Sequence, residues 1–402
     1  MNIPSNIKSR DSYLKRIAPF MRKSLIKVLT GQRRVGKSYI LYQLMQLIRS
    51  EEPDANIIYI NKEQMEFDVI RTAKDLNDYV VSQCMADKHN YIFIDEIQDI
   101  DEFEKAMRSL LLNEWNDIYI TGSNATMLSG ELATYLSGRY IEIPIYGLSY
   151  TEFLSFHSLP DTEESLAKYF KYGGLPYLIH LELTDEVVPE YLRSIYSTII
   201  FRDVVTRHNI RNTVFLENFI SFLADNIGNV FSAKKISDYL KSQNLHISTN
   251  QILQYSDYLC AAFLIHKVGR YDIVGKRMFE IGDKYYFEDL GIRNTAVKYK
   301  PQDRGKLLEN VVYNHLRYCG YTVNIGAMSG QEIDFVCERH GERRYVQVAL
   351  RLDEETTIRR EFGNLLKIQD NYPKEVVTMD KFFGSSYMGV KHVHIADFLK
   401  EE

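Results

Sequence analysis

Apolar and polar positions along the chain keep two rhythms. Some apolar runs are short and bounded by turn residues; elsewhere apolar residues recur every three or four positions. Leu25–Leu29 (interrupted by Lys27), Tyr91–Ile94, Asp117–Thr121 and Tyr140–Ile145 are of the first kind and predict buried strands of a parallel sheet. Ser38–Ile48 and Met127–Leu136 keep the helical rhythm. Helices set between such strands predict an α/β architecture. Farther on, Ser232–Leu240 and Ser248–Leu259 predict two short helices, the second with an apolar stripe at Ile252, Tyr255 and Leu259. Ala262–Val268 and Met278–Phe287 follow as strands, which completes the order of a winged helix. Near the end, Gly305–Asn310 opens a helix, and Gln331–Val336 and Tyr345–Ala349 read as strands. At the start, Leu14, Ile17, Phe20 and Met21 alternate with Lys15, Arg16, Arg22 and Lys23. That is an amphipathic segment expected to dock on the sheet domain, since it lacks the long apolar stretch of a signal peptide.

Between the first strand and its helix stands Gly31-Gln32-Arg33-Arg34-Val35-Gly36-Lys37-Ser38, a complete G-x-x-x-x-G-K-[ST] pattern. Glycines let the backbone curl so that N–H groups face phosphate oxygens, with the positive end of a helix behind them. Lys37 is expected to reach the β- and γ-phosphates and the Ser38 hydroxyl to hold Mg²⁺, with Tyr39 next to the loop. Asp95 and Glu96 close the run Tyr91–Ile94. At a strand tip, Asp95 would bind Mg²⁺ and Glu96 would act as general base toward water. Ser123 or Asn124, after the run Asp117–Thr121, would orient that water; Asn124 reads equally well as a helix cap. Arg139, in Ser137-Gly138-Arg139, would reach the γ-phosphate of a neighbouring subunit, or simply complement a helix C-terminus. ATP with Mg²⁺ is the implied ligand, because no guanine-specifying N-K-x-D follows the strands.

The ordered runs G-Q-R-R-V-G-K-S, F-I-D-E-I-Q, I-T-G-S-N-A and L-S-G-R-Y resemble the AAA+-type ATPases of bacteria and archaea that carry an uncharacterised C-terminal region. The resemblance implies a P-loop core at 1–146 with sheet order 5-1-4-3-2, a helical lid at 147–212, a winged helix at 213–295 and a restriction-endonuclease-like domain at 296–402. It also implies that Tyr172-Gly173-Gly174-Leu175-Pro176 is a lid turn in which Pro176 touches the nucleotide, and that Arg202 faces the phosphates from the lid. The last domain resembles the PD-(D/E)xK nucleases. Glu309 and Asp334 match its first two positions, whereas Gln347 and Ala349 replace the acid and lysine of the third. An amide is a poor ligand for a divalent cation and alanine moves no proton, so nuclease activity is not expected.

Composition narrows the partners. The 402 residues are 45% hydrophobic and 26% charged, ordinary for a globular protein of several domains. A net charge of −5 argues against a broad electrostatic grip on nucleic acid. Local contact would fall to Thr249, Asn250 and Gln251, which open a would-be recognition helix, and to Arg339, Arg343, Arg344, Arg351, Arg359 and Arg360. Cys84, Cys260, Cys319 and Cys337 show no paired spacing and suit reduced thiols in the cytoplasm. No apolar run approaches the ~18 residues of a membrane span. Two functions fit: an ATPase coupling hydrolysis to movement of its other domains on DNA or a protein client, with a homo-oligomer as one form, or a nucleotide-gated binding module with little turnover.

Overall fold

The computed structural model describes residues 4, 6–86, 88–125, 136–275, 277–328, 330–381 and 384–401, with the backbone only at 277–281. Two compact units divide the chain, one formed by Met1–Tyr146 with Ala261–Phe263 and the other by Gly147–Cys260 with Leu264–Glu402.

In the first unit the chain runs α1 (Asp11–Ile17), β1 (Ile26–Thr30), α2 (Lys37–Glu51), β2 (Asn56–Asn61), α3 (Ala73–Gln83), β3 (Asn90–Asp95), α4 (Phe103–Leu111), β4 (Asn116–Gly122) and β5 (Tyr140–Pro144). The sheet is β2-β3-β4-β1-β5, parallel throughout, which is the expected 5-1-4-3-2 read from the other edge. β3 and β4 are buried along their whole length, their apolar stretches Tyr91–Ile94 and Ile118–Ile120 flanked by buried polar residues. α2 turns Ile40, Leu41, Leu44, Met45 and Ile48 inward at helical spacing. Parallel pairing aligns the strand ends, so Thr30, Asp95 and Gly122 reach one edge of the sheet together. At the opposite end, Lys27 and Asp117 form a fully buried ion pair between β1 and β4, to which the Tyr119 hydroxyl donates (2.7 Å). The N-terminal segment does dock, but through Tyr13 and Ile17, the buried residues of α1. Leu14, Phe20 and Met21 stay half-buried. The predicted helix 127–136 lies outside the described residues, apart from Leu136 at its end.

The second unit begins with helices α5 (Tyr150–His157), α6 (Glu163–Tyr172), α7 (Val188–Thr198), α8 (Thr213–Asp225), α9 (Ala233–Ser242) and α10 (Thr249–Ala261). α7 continues as a π-helical stretch, Ile199–Thr206. Then come β6 (Ile265–Asp272), β7 (Arg277–Phe287), α11 (Leu290–Val297), α12 (Arg304–Tyr318), β8 (Thr322–Met328), β9 (Gln331–Arg339), β10 (Glu342–Ala349), α13 (Glu355–Leu366), β11 (Lys374–Thr378), β12 (Ser386–Tyr387) and β13 (Val390–His394). These strands make one eight-stranded mixed sheet in the order β12-β13-β11-β10-β9-β8-β6-β7.

One sequence expectation changes here. The strand predicted at Ala262–Val268 starts later and runs to Asp272, because its far half pairs with β8 (Arg270 to Ile325, Tyr271 to Gly326, Asp272 to Ala327). A ladder partner, not the apolar run, sets its length. The same pairing makes the β6–β7 hairpin the edge of the C-terminal sheet.

Candidate nucleotide site

β1 ends at Thr30, and the turn that follows can be made only with glycine at its first position. Gly31 has φ +147°, and a Cβ there would lie 2.1 Å from the Ile145 carbonyl oxygen. Gly36, at φ +96°, caps the N-terminus of α2, the left-handed geometry glycine adopts without strain. Between them Val35 is fully buried, and its carbonyl accepts from the buried Arg10 guanidinium (3.1 Å). Gln32 is buried and donates to the Phe263 carbonyl within the same unit (3.1 Å). Arg33 is buried and lies 3.6 Å from Glu63, whereas Arg34 and Tyr39 are exposed.

Lys37, 4% exposed, donates to the carbonyls of Gly31 (2.9 Å) and Gln32 (3.0 Å) and stands 3.9 Å from Glu96 Oε1. Thus the loop lysine and the strand-tip acid, 59 positions apart in sequence (96 − 37), meet at one edge of the sheet. Asp95 accepts from the Thr121 hydroxyl (2.5 Å) and more weakly from the Tyr59 hydroxyl (3.4 Å). The same Thr121 oxygen receives the backbone N–H of Glu96 (2.9 Å). Glu96 Oε2 accepts from Ser123 (2.9 Å) and from Gln98. Glu96 holds φ +57°, a left-handed conformation that costs a non-glycine residue on the order of 1 kcal/mol and that the surrounding hydrogen bonds maintain.

The electrostatics separate the two acids. Burial raises the Asp95 carboxyl above its usual range, partly offset by hydrogen bonds from Ser38 and Thr121. Burial pushes Glu96 the same way, but the charges of Lys37 and Arg33 and the bonds from Gln98 and Ser123 outweigh it and hold Glu96 below its usual value. Glu96 is therefore kept as a carboxylate. Ser38 and Asp95 offer the hard oxygen donors that suit Mg²⁺.

Asn124 is buried at the tip of β4 beside Ser123, and it is Ser123 whose hydroxyl reaches Glu96. Arg139 is exposed in the turn before β5, where its carbonyl accepts from Ile26 N (2.9 Å). Pro176 belongs to the second unit, at the head of the 3₁₀ turn Pro176–His180, and Arg202 is exposed in the π-helical stretch. Sequence reasoning missed Thr121 and Gln98. Thr121 could be found only after the pairing of β3 with β4 was known, since Ile94 faces Ile120 and the next residues of each strand are Asp95 and Thr121.

In the second unit the basic residues proposed for nucleic acid are engaged. Arg343 is paired with Glu338, and Arg344 lies 3.1 Å from Glu401. Arg359 and Arg360 pair with Glu355 (2.6 Å) and Glu361 (2.5 Å), and Arg351 lies 3.9 Å from Asp353. Arg339 donates to the Cys319 carbonyl (2.7 Å). Thr249, Asn250 and Gln251 open α10, a helix with neither lysine nor arginine. Gln347 is buried and spends both ends of its amide, accepting from Asp334 N (3.2 Å) and donating to Glu361 (2.8 Å), while Ala349 is buried two residues on.

A parallel sheet whose first strand feeds a glycine-built loop into a helix, with two acids at a neighbouring strand tip, defines a P-loop domain of the AAA+ class. Residues 23–154 match the family described as AAA domain, and residues 163–303 match a domain of unknown function (DUF8612). An uncharacterised protein of Haemophilus influenzae is 37% identical over 399 residues, covering 97% of this chain and 98% of its own length. Another from Methanocaldococcus jannaschii is 32% identical over 349 residues, covering 82% of this chain and 75% of its own. The chain belongs to the family these proteins form. Among solved structures, Cdc6p from Pyrobaculum aerophilum aligns with 73% of this chain and 94% of its own at 12% identity and a TM-score of 0.32. The Aeropyrum pernix ORC1 protein, solved in complex with DNA, aligns with 73% and 93% at 11% identity and 0.33. Scores this low carry nothing further to the present chain. Among the described residues no helix is long and apolar enough to cross a membrane.

Proposed function

We propose that this protein is a Mg²⁺-dependent ATPase. The observation that supports this most is the meeting of Lys37 with an ionised Glu96 at the edge where Asp95 also ends its strand. In this reading the N–H groups from Gly31 to Ser38 cradle the phosphates, and Lys37 exchanges its carbonyl partners for the β- and γ-oxygens. Ser38 and Asp95 would hold Mg²⁺, which neutralises charge developing on the transferred phosphoryl group. Glu96 accepts the proton of the attacking water, its carboxylate aimed by Ser123 and Gln98. Asn124, buried next to Ser123, would help orient that water, and Arg139, exposed, would serve a neighbouring copy's site in a homo-oligomer. Turnover is read as driving change in the second unit, to which Pro176 and Arg202 belong. A protein client suits that unit better than DNA, because the six arginines named for nucleic-acid contact each have a partner in the fold and α10 carries no basic residue; phosphate contacts dominate nucleic-acid affinity.

Phosphate release by the purified full chain tests the proposal. Lys37→Ala should lose nucleotide binding, and Glu96→Gln should keep binding while turnover falls roughly 10²–10⁴-fold. Tight ATP binding by the unaltered protein without phosphate release would favour the gated binding module instead. Turnover undiminished in Glu96→Gln would remove that residue as the base.

A further inference from the structure

We infer that Lys284 is the built-in cation of a three-carboxylate centre in the second unit, an ammonium standing where the acids would otherwise demand a divalent metal. The acids come from two elements. Glu309 lies on α12, and Glu332 and Asp334, two residues apart on β9, project from the same face of the strand. Lys284 reaches them from β7. Its Nζ is 2.7 Å from Glu332 Oε1, 3.1 Å from Glu309 Oε1 and 3.8 Å from Asp334 Oδ1.

Lys284 is 2% exposed, so water does little to compensate its charge. An ammonium this deeply buried would lose its proton unless acids surrounded it. Burial does pull Lys284 down, yet Glu309, Asp334 and Glu332 together outweigh it and raise it above its ordinary value. Each acid has a further partner. The Tyr286 hydroxyl donates to Glu309 Oε1 (2.7 Å), Val348 N to Asp334 Oδ2 (2.8 Å), and Arg270 lies 3.4 Å from Glu332 Oε2. Gly228, at φ +74°, leaves room for the other Glu309 oxygen, since a Cβ there would fall 2.5 Å from it. Gln347, the residue in the third position of the nuclease pattern, has no oxygen turned to the centre because its amide bridges Asp334 N and Glu361.

A divalent cation needs about six oxygens at roughly 2.0–2.6 Å. With Lys284 within hydrogen-bond distance of both Glu309 and Glu332, such a cation would meet a neighbouring positive charge and find two of its oxygens already engaged. Among the described residues no group of three or more histidine, cysteine, aspartate or glutamate side chains is arranged to hold a metal ion. The sequence pattern shows a lysine missing at Ala349; the fold supplies one from another strand, and sets it among the acids. Its consequence is mechanical. Lys284 ties the β7 hairpin to α12 and β9 without any need for a metal supply.

The test uses the full-length chain without nucleotide, and Mn²⁺ as probe. Melting curves and Mn²⁺ binding, counted by electron paramagnetic resonance, are recorded for the unaltered protein, Asp334→Asn, Lys284→Met and the double variant Lys284→Met/Asp334→Asn. The unaltered protein and Asp334→Asn should bind the same number of Mn²⁺ ions. Lys284→Met should melt at least about 5 °C lower, bind one additional Mn²⁺ and regain most of the loss at millimolar Mn²⁺; the double variant should lose that rescue. The inference is overturned if the unaltered protein binds an ion that Asp334→Asn abolishes, because the acids would then form a metal site with Lys284 in place. It is overturned equally if Lys284→Met folds and neither loses stability nor takes up Mn²⁺. Should Lys284→Met fail to fold, the comparison of the unaltered protein with Asp334→Asn decides the question.

Discussion

Substituting Asp117 by asparagine should unfold the first unit at markedly lower temperature while leaving its chemistry alone. Lys27 has no exposed side-chain surface, and the Asp117 carboxylate is its charged partner. Tyr119 OH and Arg22 N complete the acid's hydrogen bonds, at 2.7 and 2.9 Å. Asparagine keeps an oxygen for those donors but presents Lys27 with no charge. Removing one partner of a buried ion pair costs about 3–5 kcal/mol, because the other charge is stranded in a poorly polarisable interior. At about 2–4 °C per kcal/mol for a unit of this size, the melting temperature should fall by roughly 6–20 °C. The pH dependence identifies the cause. Burial lowers Lys27 below its ordinary 10.5 even with Asp117 present. Without that carboxylate it falls further, so the unfolded chain binds the proton more tightly than the folded one. Stability must then rise with pH until about 10.5, more steeply in the variant than in the unaltered protein. Lys27→Met combined with Asp117→Leu should melt near the unaltered protein, since an apolar pair of similar volume needs no solvation. Differential scanning calorimetry from pH 6 to 10 measures all three. A single variant melting within about 2 °C of the unaltered chain, with an unchanged pH slope, would refute the charge argument. So would a double variant as unstable as the single one.

If Arg139 acts on a neighbouring copy, inactive Arg139→Ala subunits mixed with Lys37→Ala subunits should recover phosphate release; no recovery at any concentration makes it a residue of its own chain only. Asp289, buried and raised to about 6, caps α11 through Ile292 N (2.9 Å) and accepts from Gly174 N (2.7 Å). Its folded value lies above its ordinary 3.8, so the stability it adds is complete at low pH and lost as pH climbs through about 6. Asp289→Asn should therefore gain on the unaltered protein in melting temperature between pH 4 and pH 7, and a constant difference across that range would show that the carboxyl does not titrate there.

Much of the first unit was legible from local pattern. Unbroken apolar runs forecast β3 and β4, helical spacing forecast α2, and the loop from Gly31 to Ser38 announces phosphate chemistry because only that order of glycines, lysine and hydroxyl serves it. Such features depend on residues close together in the chain, where period and side-chain type suffice. Thr121 under Asp95 and Glu96, Ser123 against Glu96, and the Lys27–Asp117 pair were not legible, since each depends on which strands become neighbours. The second unit shows the same limit more sharply. The helices at 232–240 and 248–259 and the strands at 278–287, 331–336 and 345–349 could be anticipated, but not the pairing of β6 with β8 that carries a hairpin into the C-terminal sheet. Gln347 and Ala349 made the carboxylate centre look short of a cation, yet that cation comes from Lys284, 50 positions before Asp334 (334 − 284). Sequence alone determined which chemistry the chain can attempt at its phosphate loop. The tertiary structure decided which charges are neutralised and by what, because a Coulomb interaction depends on distance and burial, and neither follows from position in the chain.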